Sequence, residues 1–230
     1  ERGERWLSML ATRVEYYLMK WQLQLEGPVD DLSYNYVLKV RDREHTPLIL
    51  KLGVPGADFT NEIRATKSYK GARFARLYRY DERDGVMLLE RLEPGYMLSE
   101  LESEEQVIHH YIEIWKALRT PVKTSFPSMK SWFDELQVYL EKYSKDDCLI
   151  PHTLVKNAQC YAQELFETTA GEELLHGDLH HYNILYDEER GWCAIDPKGI
   201  IGDSYFDFVA FLFNELHLKE QPQSLLKWRL

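Results

Sequence analysis

Cysteine is scarce. The 230 residues hold three, Cys148, Cys160 and Cys193, an odd number with no CxxC pair. A disulfide framework is not expected from that usage, and a reducing cytoplasm suits it. Long apolar runs are missing as well. The longest wholly apolar stretch is 208–213, far short of the roughly 20 residues that span a bilayer, and no charged-then-apolar leader opens the chain. Basic charge is in the minority, 28 Lys and Arg against 38 Asp and Glu, for a formal net charge of -10. A binder of nucleic-acid backbone would carry the opposite sign, so neither a nucleic acid nor a membrane is expected as partner. The acidity fits a cationic ligand and equally fits plain solubility. No internal repeat or biased tract is present. The chain starts at Glu1 rather than Met and stops at Leu230 without an obvious terminator, so further residues are expected beyond its ends.

What is present is material for a core: 44% hydrophobic and 13% aromatic residues. At roughly 150 residues per domain, the length suits one large domain or two small lobes. The texture changes near Glu93-Pro94-Gly95. Before it, an amphipathic helix is expected over 6–25, then strands over 34–40 and 47–53. A helix follows over 59–70, with Asp58 as N-cap and Gly71 as stop, then strands over 74–80 and 86–92 around an acidic turn. After it the patterns are helical. Ser99 and Glu102 have capping-box spacing; Ile108, Tyr111, Ile112, Trp115 and Leu118 share one face; further helices fit 128–143, 153–169 and 204–218. Two short strands, 184–186 and 192–195, interrupt them. The aromatic faces Tyr111-Trp115 and Trp132-Leu136-Tyr139 read as core. The expected division is an N-terminal lobe over 1–92, a hinge at 93–95 and a helical lobe over 96–230.

The chemistry concentrates in His176-Gly177-Asp178-Leu179-His180-His181-Tyr182-Asn183-Ile184-Leu185, a loop running into a strand. Asp178 and Asn183 stand five positions apart, and Asp196 follows thirteen positions later, at the end of the next strand. An acid, an amide and a second acid give oxygen ligands without thiolates, which suit a hard cation such as Mg²⁺. Mg²⁺ held by few protein groups keeps phosphates and waters, so nucleotide chemistry is indicated.

This loop resembles the protein-kinase catalytic loop with its metal-binding Asp, with His-Gly-Asp in place of His-Arg-Asp. In its glycine form it resembles the aminoglycoside phosphotransferases. More narrowly, Trp21 with Leu23, Asn35-Tyr36-Val37, Leu50-Lys51-Leu52-Gly53, Leu89-Glu90-Arg91-Leu92 with Pro94-Gly95, and Ala194-Ile195-Asp196-Pro197-Lys198-Gly199 through Gly202-Asp203 to Asp207 are similar to the branch of streptomycin 6-phosphotransferases and hydroxyurea-resistance kinases. The resemblance implies an α+β, two-lobed protein-kinase-like fold: a small antiparallel sheet with one helix, then a mainly helical lobe. It implies ATP or GTP as phosphate donor, Mg²⁺, and a small hydroxylated acceptor, possibly cationic, with streptomycin as the leading candidate. Asp178 would be the catalytic residue. Asn183 and Asp196 would hold the metal. Lys51 would reach the nucleotide phosphates, positioned by Glu62, and Glu90 and Leu92 would offer backbone groups to the adenine edge. Two departures stand out. Leu32-Ser33-Tyr34-Asn35-Tyr36 has no glycine where a phosphate-covering loop is expected, and the chain stops soon after Leu218, before the later helices that help form the acceptor pocket in this family.

Other readings remain beside these. His176 reads as a brace for the loop, and Asp207 as its tie. Asp203 reads as a metal neighbour or a helix cap, and Lys198 as a phosphate contact or an ordinary exposed loop lysine. A metal-dependent hydrolase would instead use His176, Asp178, His180 and His181, although Gly177 breaks the helix that a zinc pair at i and i+4 wants. A related kinase for another metabolite, or a silent kinase-like binding module, would share the fold. The pattern carries no sign of an oligomeric state.

Overall fold

The computed structural model describes residues 2–29, 34–69, 73–144, 148–169, 171–216 and 221–230. Helix α1 (Arg2–Trp21) buries Trp6, Tyr17 and Trp21, with Leu10, Val14 and Leu18 half-buried between them. That helical spacing makes one apolar stripe. The stripe lies on one face of a five-stranded antiparallel sheet made of β1 (Gln24–Pro28), β2 (Tyr36–Arg41), β3 (Pro47–Leu52), β4 (Leu77–Asp81) and β5 (Val86–Glu90), in the order β1-β2-β3-β5-β4. Helix α2 (Ala57–Tyr69) covers the other face. The two-residue period of a strand sorts the side chains between these layers. Leu48, Leu50, Leu52, Val86 and Leu88 join the α1 cluster, whereas Ile49, Met87 and Leu89 join Phe59 and Ile63 of α2. A sheet covered on both faces explains why β3 and β5 read as nearly continuous apolar runs. It also dictates that Lys51, two residues after Ile49, points toward α2.

The first helix ends four residues earlier than its pattern suggests. Gln22 has a φ of 59° and turns the chain, and Leu23 and Leu25, which continue the helical spacing in sequence, belong to the approach and body of β1. That strand is an edge strand, mostly exposed, where Gly27 and Pro28 are tolerated. Asp58 lies inside the first turn of α2 rather than before it, and Gly71, Leu32 and Ser33 fall outside the described residues.

Strand β6 (Pro94–Met97) leaves the large sheet and pairs with a strand from the C-terminal half. The remaining elements are α3 (Glu104–Leu118), β7 (Thr120–Pro121), α4 (Met129–Lys142), α5 (His152–Thr168), β8 (Glu173–Leu175), β9 (Ile184–Asp187), β10 (Gly191–Ala194), β11 (Ile200–Gly202), α6 (Asp207–Phe213) and α7 (Pro222–Arg229). Two three-stranded sheets, β10-β9-β6 and β11-β8-β7, sit among the helices. The core here is Val107, Tyr111, Ile114, Trp115 and Leu118 of α3 against Leu179, Ile184, Ala194 and Phe211. The lobes are stitched together by main chain: Ala75 N–H donates to the Ala194 carbonyl at 3.0 Å and Ala194 N–H to the Arg73 carbonyl at 2.8 Å. Phe74, between them, is buried in the helical lobe's core.

Three further expectations need correction. Helix α3 is capped by Ser103, whose hydroxyl accepts from Gln106 N–H, not by Ser99, because Glu100 bonds the Met97 N–H at 2.6 Å and holds 98–100 in a separate tight turn. The 204–218 helix begins as a 3-10 turn and ends at Phe213, and Leu218 lies outside the described residues. The Trp132-Leu136-Tyr139 face is not core: Trp132 is 40% exposed, Leu136 and Tyr139 are half-buried, and Met129 is the residue α4 buries.

Arg229 closes this lobe. It is buried, pairs with the Glu104 carboxylate, and donates to the Phe211 and Asn214 carbonyls at 3.0 Å and to His181 Nε2 at 3.1 Å. Removing one member of such a buried set leaves the others desolvated. Arg229→Ala should therefore lower the unfolding free energy by about 3–5 kcal/mol in urea titrations, and Glu104→Gln, which keeps a neutral acceptor, should cost less. An Arg229→Ala protein of unchanged stability would make the network incidental.

Candidate active site

Strand β3 and helix α2 supply the first pair of groups. Glu62 lies on the face of α2 that carries Phe59, Ile63 and Thr66, a spacing of three, four and seven residues that faces the sheet. Lys51 points to that face and is 2% exposed. Its Nζ is 2.6 Å from Glu62 Oε1 and 2.9 Å from Asp196 Oδ1. Burial pulls the ammonium's pKa down, but the carboxylates of Asp196 and Glu62 outweigh it, and the pKa lies above its ordinary value. Lys51 is thus a fixed cation that joins the sheet lobe to the loop after β10.

The second group is the loop between β8 and β9. Asp207, at the start of α6, accepts His176 N–H at 3.0 Å and Gly177 N–H at 2.7 Å. Burial lifts its carboxyl to about 6 against these donations. His176 spans the loop beneath it: Nε2 donates to the Ile195 carbonyl at 2.7 Å and Nδ1 accepts Asp178 N–H at 3.3 Å. Both ring nitrogens are used and the ring is neutral, burial having pushed its pKa down to about 4. His176 and Asp207 are the brace and tie read from the sequence. Asn183 Nδ2 donates to the Asp178 carbonyl at 2.9 Å, which orients the amide and turns its oxygen away from that bond.

The third segment is 196–199. Asp196 has a φ of 59°, an uncommon conformation for a residue with a side chain and one that marks functional loops. Lys198 N–H donates to the His176 carbonyl at 2.7 Å, and its Nζ is 3.5 Å from Asp178 Oδ2. The fit explains the glycine of His-Gly-Asp: Gly177 has a φ of 79°, and a Cβ there would lie 3.1 Å from Lys198 Cβ. Asp203 is a cap, accepting Tyr205 N–H at 2.9 Å.

Near the lobe connection, Glu90 has little freedom. Its carboxylate is held by Arg190 and by Arg76 N–H at 3.0 Å, and its own N–H donates to the Arg76 carbonyl at 2.8 Å. Leu92 is buried with Ala75 and Cys193, with half-buried Leu185 and Ile195 packed beside them. The structure therefore unites Lys51, Glu62 and Asp196 directly, and links Asp178 to Asn183 and Lys198. Glu90 and Leu92 lie in the strand end and the apolar group next to Ile195.

Sequence reasoning missed the supports from far along the chain. His181 stacks on Phe211 with centroids 4.7 Å apart, and its nitrogens meet Asn214 and Arg229. Arg190 reaches Glu90 and the Phe74 carbonyl. No local spacing signals such partners. With the nitrogens of His176 and His181 engaged, the histidine-based hydrolase loses two of its four ligands, and only His180 and Asp178 remain, 3.5 Å apart. Among the described residues, the group whose ligand atoms gather closely enough for a metal is His109, His110 and Glu113 on α3, outside this loop.

A five-stranded sheet with a buried Lys–Glu pair, set against a helical lobe whose braced loop carries an acid and an amide, defines a protein-kinase-like phosphotransferase. The sequence matches the aminoglycoside/hydroxyurea antibiotic resistance kinase family over residues 20–227, and the chain belongs to that family. It is 28% identical to a streptomycin 6-kinase of Streptomyces glaucescens, over 90% of this chain and 68% of the relative. It is 30% identical to a hydroxyurea phosphotransferase of Kitasatospora aureofaciens, over 92% of this chain and 63% of the relative. Among solved structures, a choline/ethanolamine kinase family protein from Mesorhizobium loti superposes with a TM-score of 0.65 at 18% identity, covering 89% of this chain and 69% of that one. An aminoglycoside phosphotransferase in a ternary complex with ADP and hygromycin B gives 0.64 at 12% identity, covering 94% and 79%. No helix among the described residues is long and apolar enough to cross a membrane.

The loop brace carries a pH signature. Between its folded pKa of about 4 and its ordinary 6.5, His176 binds a proton only in the unfolded chain. Its stabilisation is therefore whole above the upper limit and is lost as pH falls toward the lower one, roughly 3 kcal/mol in all. Asp207 acts in the opposite sense, so the effect is read as a difference. On acidification from about pH 7 to about pH 4.5, wild type should lose more stability in urea than His176→Gln. Parallel profiles would mean that the ring titrates alike in both states.

Proposed function

We propose that this protein transfers the terminal phosphate of ATP to a hydroxyl of a small polar acceptor of the aminoglycoside type, with streptomycin as the first candidate. The observation that carries the reading is the Lys51–Asp196 contact of 2.9 Å, which brings the sheet lobe's cation to the metal-binding acid of a loop whose neighbour bears Asp178. The matched relatives are named for streptomycin and hydroxyurea, and the net charge of -10 suits an acceptor bearing amines or guanidines. The division at 93–95, into lobes over 1–92 and 96–230, belongs to this reading, as does a cytoplasmic location, which the three free cysteines favour.

The roles follow from position. Lys51, oriented by Glu62, holds nucleotide phosphates. Glu90, through its carbonyl, and Leu92 present backbone to the adenine edge, with Leu185 and Ile195 as apolar floor. Asp178 accepts the proton of the acceptor hydroxyl or aligns that hydroxyl for in-line attack. Asp196 and Asn183 offer oxygens only, a donor set that fits Mg²⁺, and the amide bond to the Asp178 carbonyl leaves the Asn183 oxygen for it. The ion, when bound, supplies charge neutralisation for the phosphates.

The test is ADP formation from ATP, and separately GDP from GTP, across streptomycin, other aminoglycosides, hydroxyurea, simple sugars and amino alcohols such as choline. Asp178→Asn should cut turnover by roughly 10²–10⁴-fold while nucleotide affinity is retained. Asp196→Ala should instead weaken Mg²⁺-nucleotide binding. Turnover that survives Asp178→Asn would remove the assigned role, and nucleotide-independent hydrolysis would replace the whole reading.

A further inference from the structure

We propose that Lys198 is the second cation of the site, the one that meets the phosphoryl group in transit. The inference rests on the kinase reading above and adds a phosphate-contacting residue to it.

The loop from His176 to Leu185 contains no lysine or arginine. Its His180 lies 3.5 Å from Asp178 Oδ1, but its Nδ1 accepts Tyr182 N–H at 3.3 Å, which binds that ring to its own loop. Lys51 is buried and already shared by Glu62 and Asp196. Among the described residues, the lysine paired with the Asp178 carboxylate is Lys198, with Nζ 3.5 Å from Oδ2.

The mounting of this side chain differs at its two ends. At the root, Lys198 N–H donates to the His176 carbonyl at 2.7 Å, and the Cβ packs over Gly177. Gly199, next in the chain, has a φ of 68° and lies so close to α2 that a Cβ there would be 3.0 Å from the Asn61 carbonyl oxygen. At the tip, the side chain is 51% exposed. With its root fixed and its tip exposed, the side chain can carry its ammonium from the carboxylate to an arriving phosphate without main-chain rearrangement.

In the step this serves, the acceptor oxygen forms a bond to the terminal phosphorus while the bond from phosphorus to the oxygen of ADP breaks. The hydroxyl proton passes to Asp178. The Lys198 side chain leaves Asp178 for a phosphoryl oxygen, which frees the carboxylate for the hydroxyl and offsets negative charge where the transferring group is most exposed.

Calorimetric titration of Mg·ADP, with and without aluminium fluoride, separates ground-state binding from contact with the transferring group. In wild type, the fluoride complex should bind more tightly than Mg·ADP alone. Lys198→Met should bind Mg·ADP within about twofold of wild type yet lose roughly 10²-fold of that gain, and Lys198→Arg should recover most of it. The melting temperature should be unchanged in both variants. An equal gain in wild type and Lys198→Met, none included, overturns the assignment, as does a loss of Mg·ADP affinity as large as the loss for the fluoride complex. A wild-type protein that binds no Mg·ADP would instead sink the kinase reading, and this inference with it.

Discussion

The structure turns on one buried ammonium. Lys51 interrupts an apolar strand in the middle of a covered sheet, where an unpaired charge would be expensive. Two carboxylates from different segments make the position tenable, Glu62 at 2.6 Å and Asp196 at 2.9 Å. Each contact constrains something larger. The bond to Glu62 sets α2 against the sheet, and the bond to Asp196 draws the loop after β10 up to the sheet lobe. A group held protonated in this way is a permanent electrostatic fixture. Under the proposed function, a nucleotide phosphate would compete with Asp196 for a cation already satisfied, which would couple phosphate binding to the position of that loop.

The loop that carries Asp178 is held by other means. The N–H groups of His176 and Gly177 end on Asp207, the His176 ring bonds the chain before Asp196, and His181 is clamped between Phe211 and Arg229. They freeze the geometry of a segment beside which the groups proposed to act, Asp178, Asn183 and Lys198, remain partly open to solvent. This division fits phosphoryl transfer, in which positioning and charge do most of what a protein contributes.

How much of this was legible varied with the range of the interaction. The loop residues from His176 to Asn183 and the acid at 196 announced themselves because their spacing is local and chemically costly to produce without a use. Lys51 was legible for a related reason, as a charge inside an apolar strand. Edge strand β1 was not, because Leu23 and Leu25 continue the helical spacing of α1 and an exposed edge leaves no alternation to read. The cap of α3 was misplaced by one turn, since Ser99 and Ser103 offer the same local signal and the turn held by Glu100 decided between them. The Trp132 face reads as apolar in either setting, so its exposure depends on what packs over α4.

Residue type and spacing alone determined the kind of chemistry and the face of β3 on which Lys51 falls, because strand and helix periods act over a few residues. Tertiary structure decided the pairings: Asp196 with Lys51, Lys198 with Asp178, Asp207 with the loop backbone, and Arg229 with His181. These join segments up to 145 positions apart, and nothing in a local pattern measures distance across a fold. Which of several available carboxylates meets a given cation is settled only when the lobes pack and water is driven from between them.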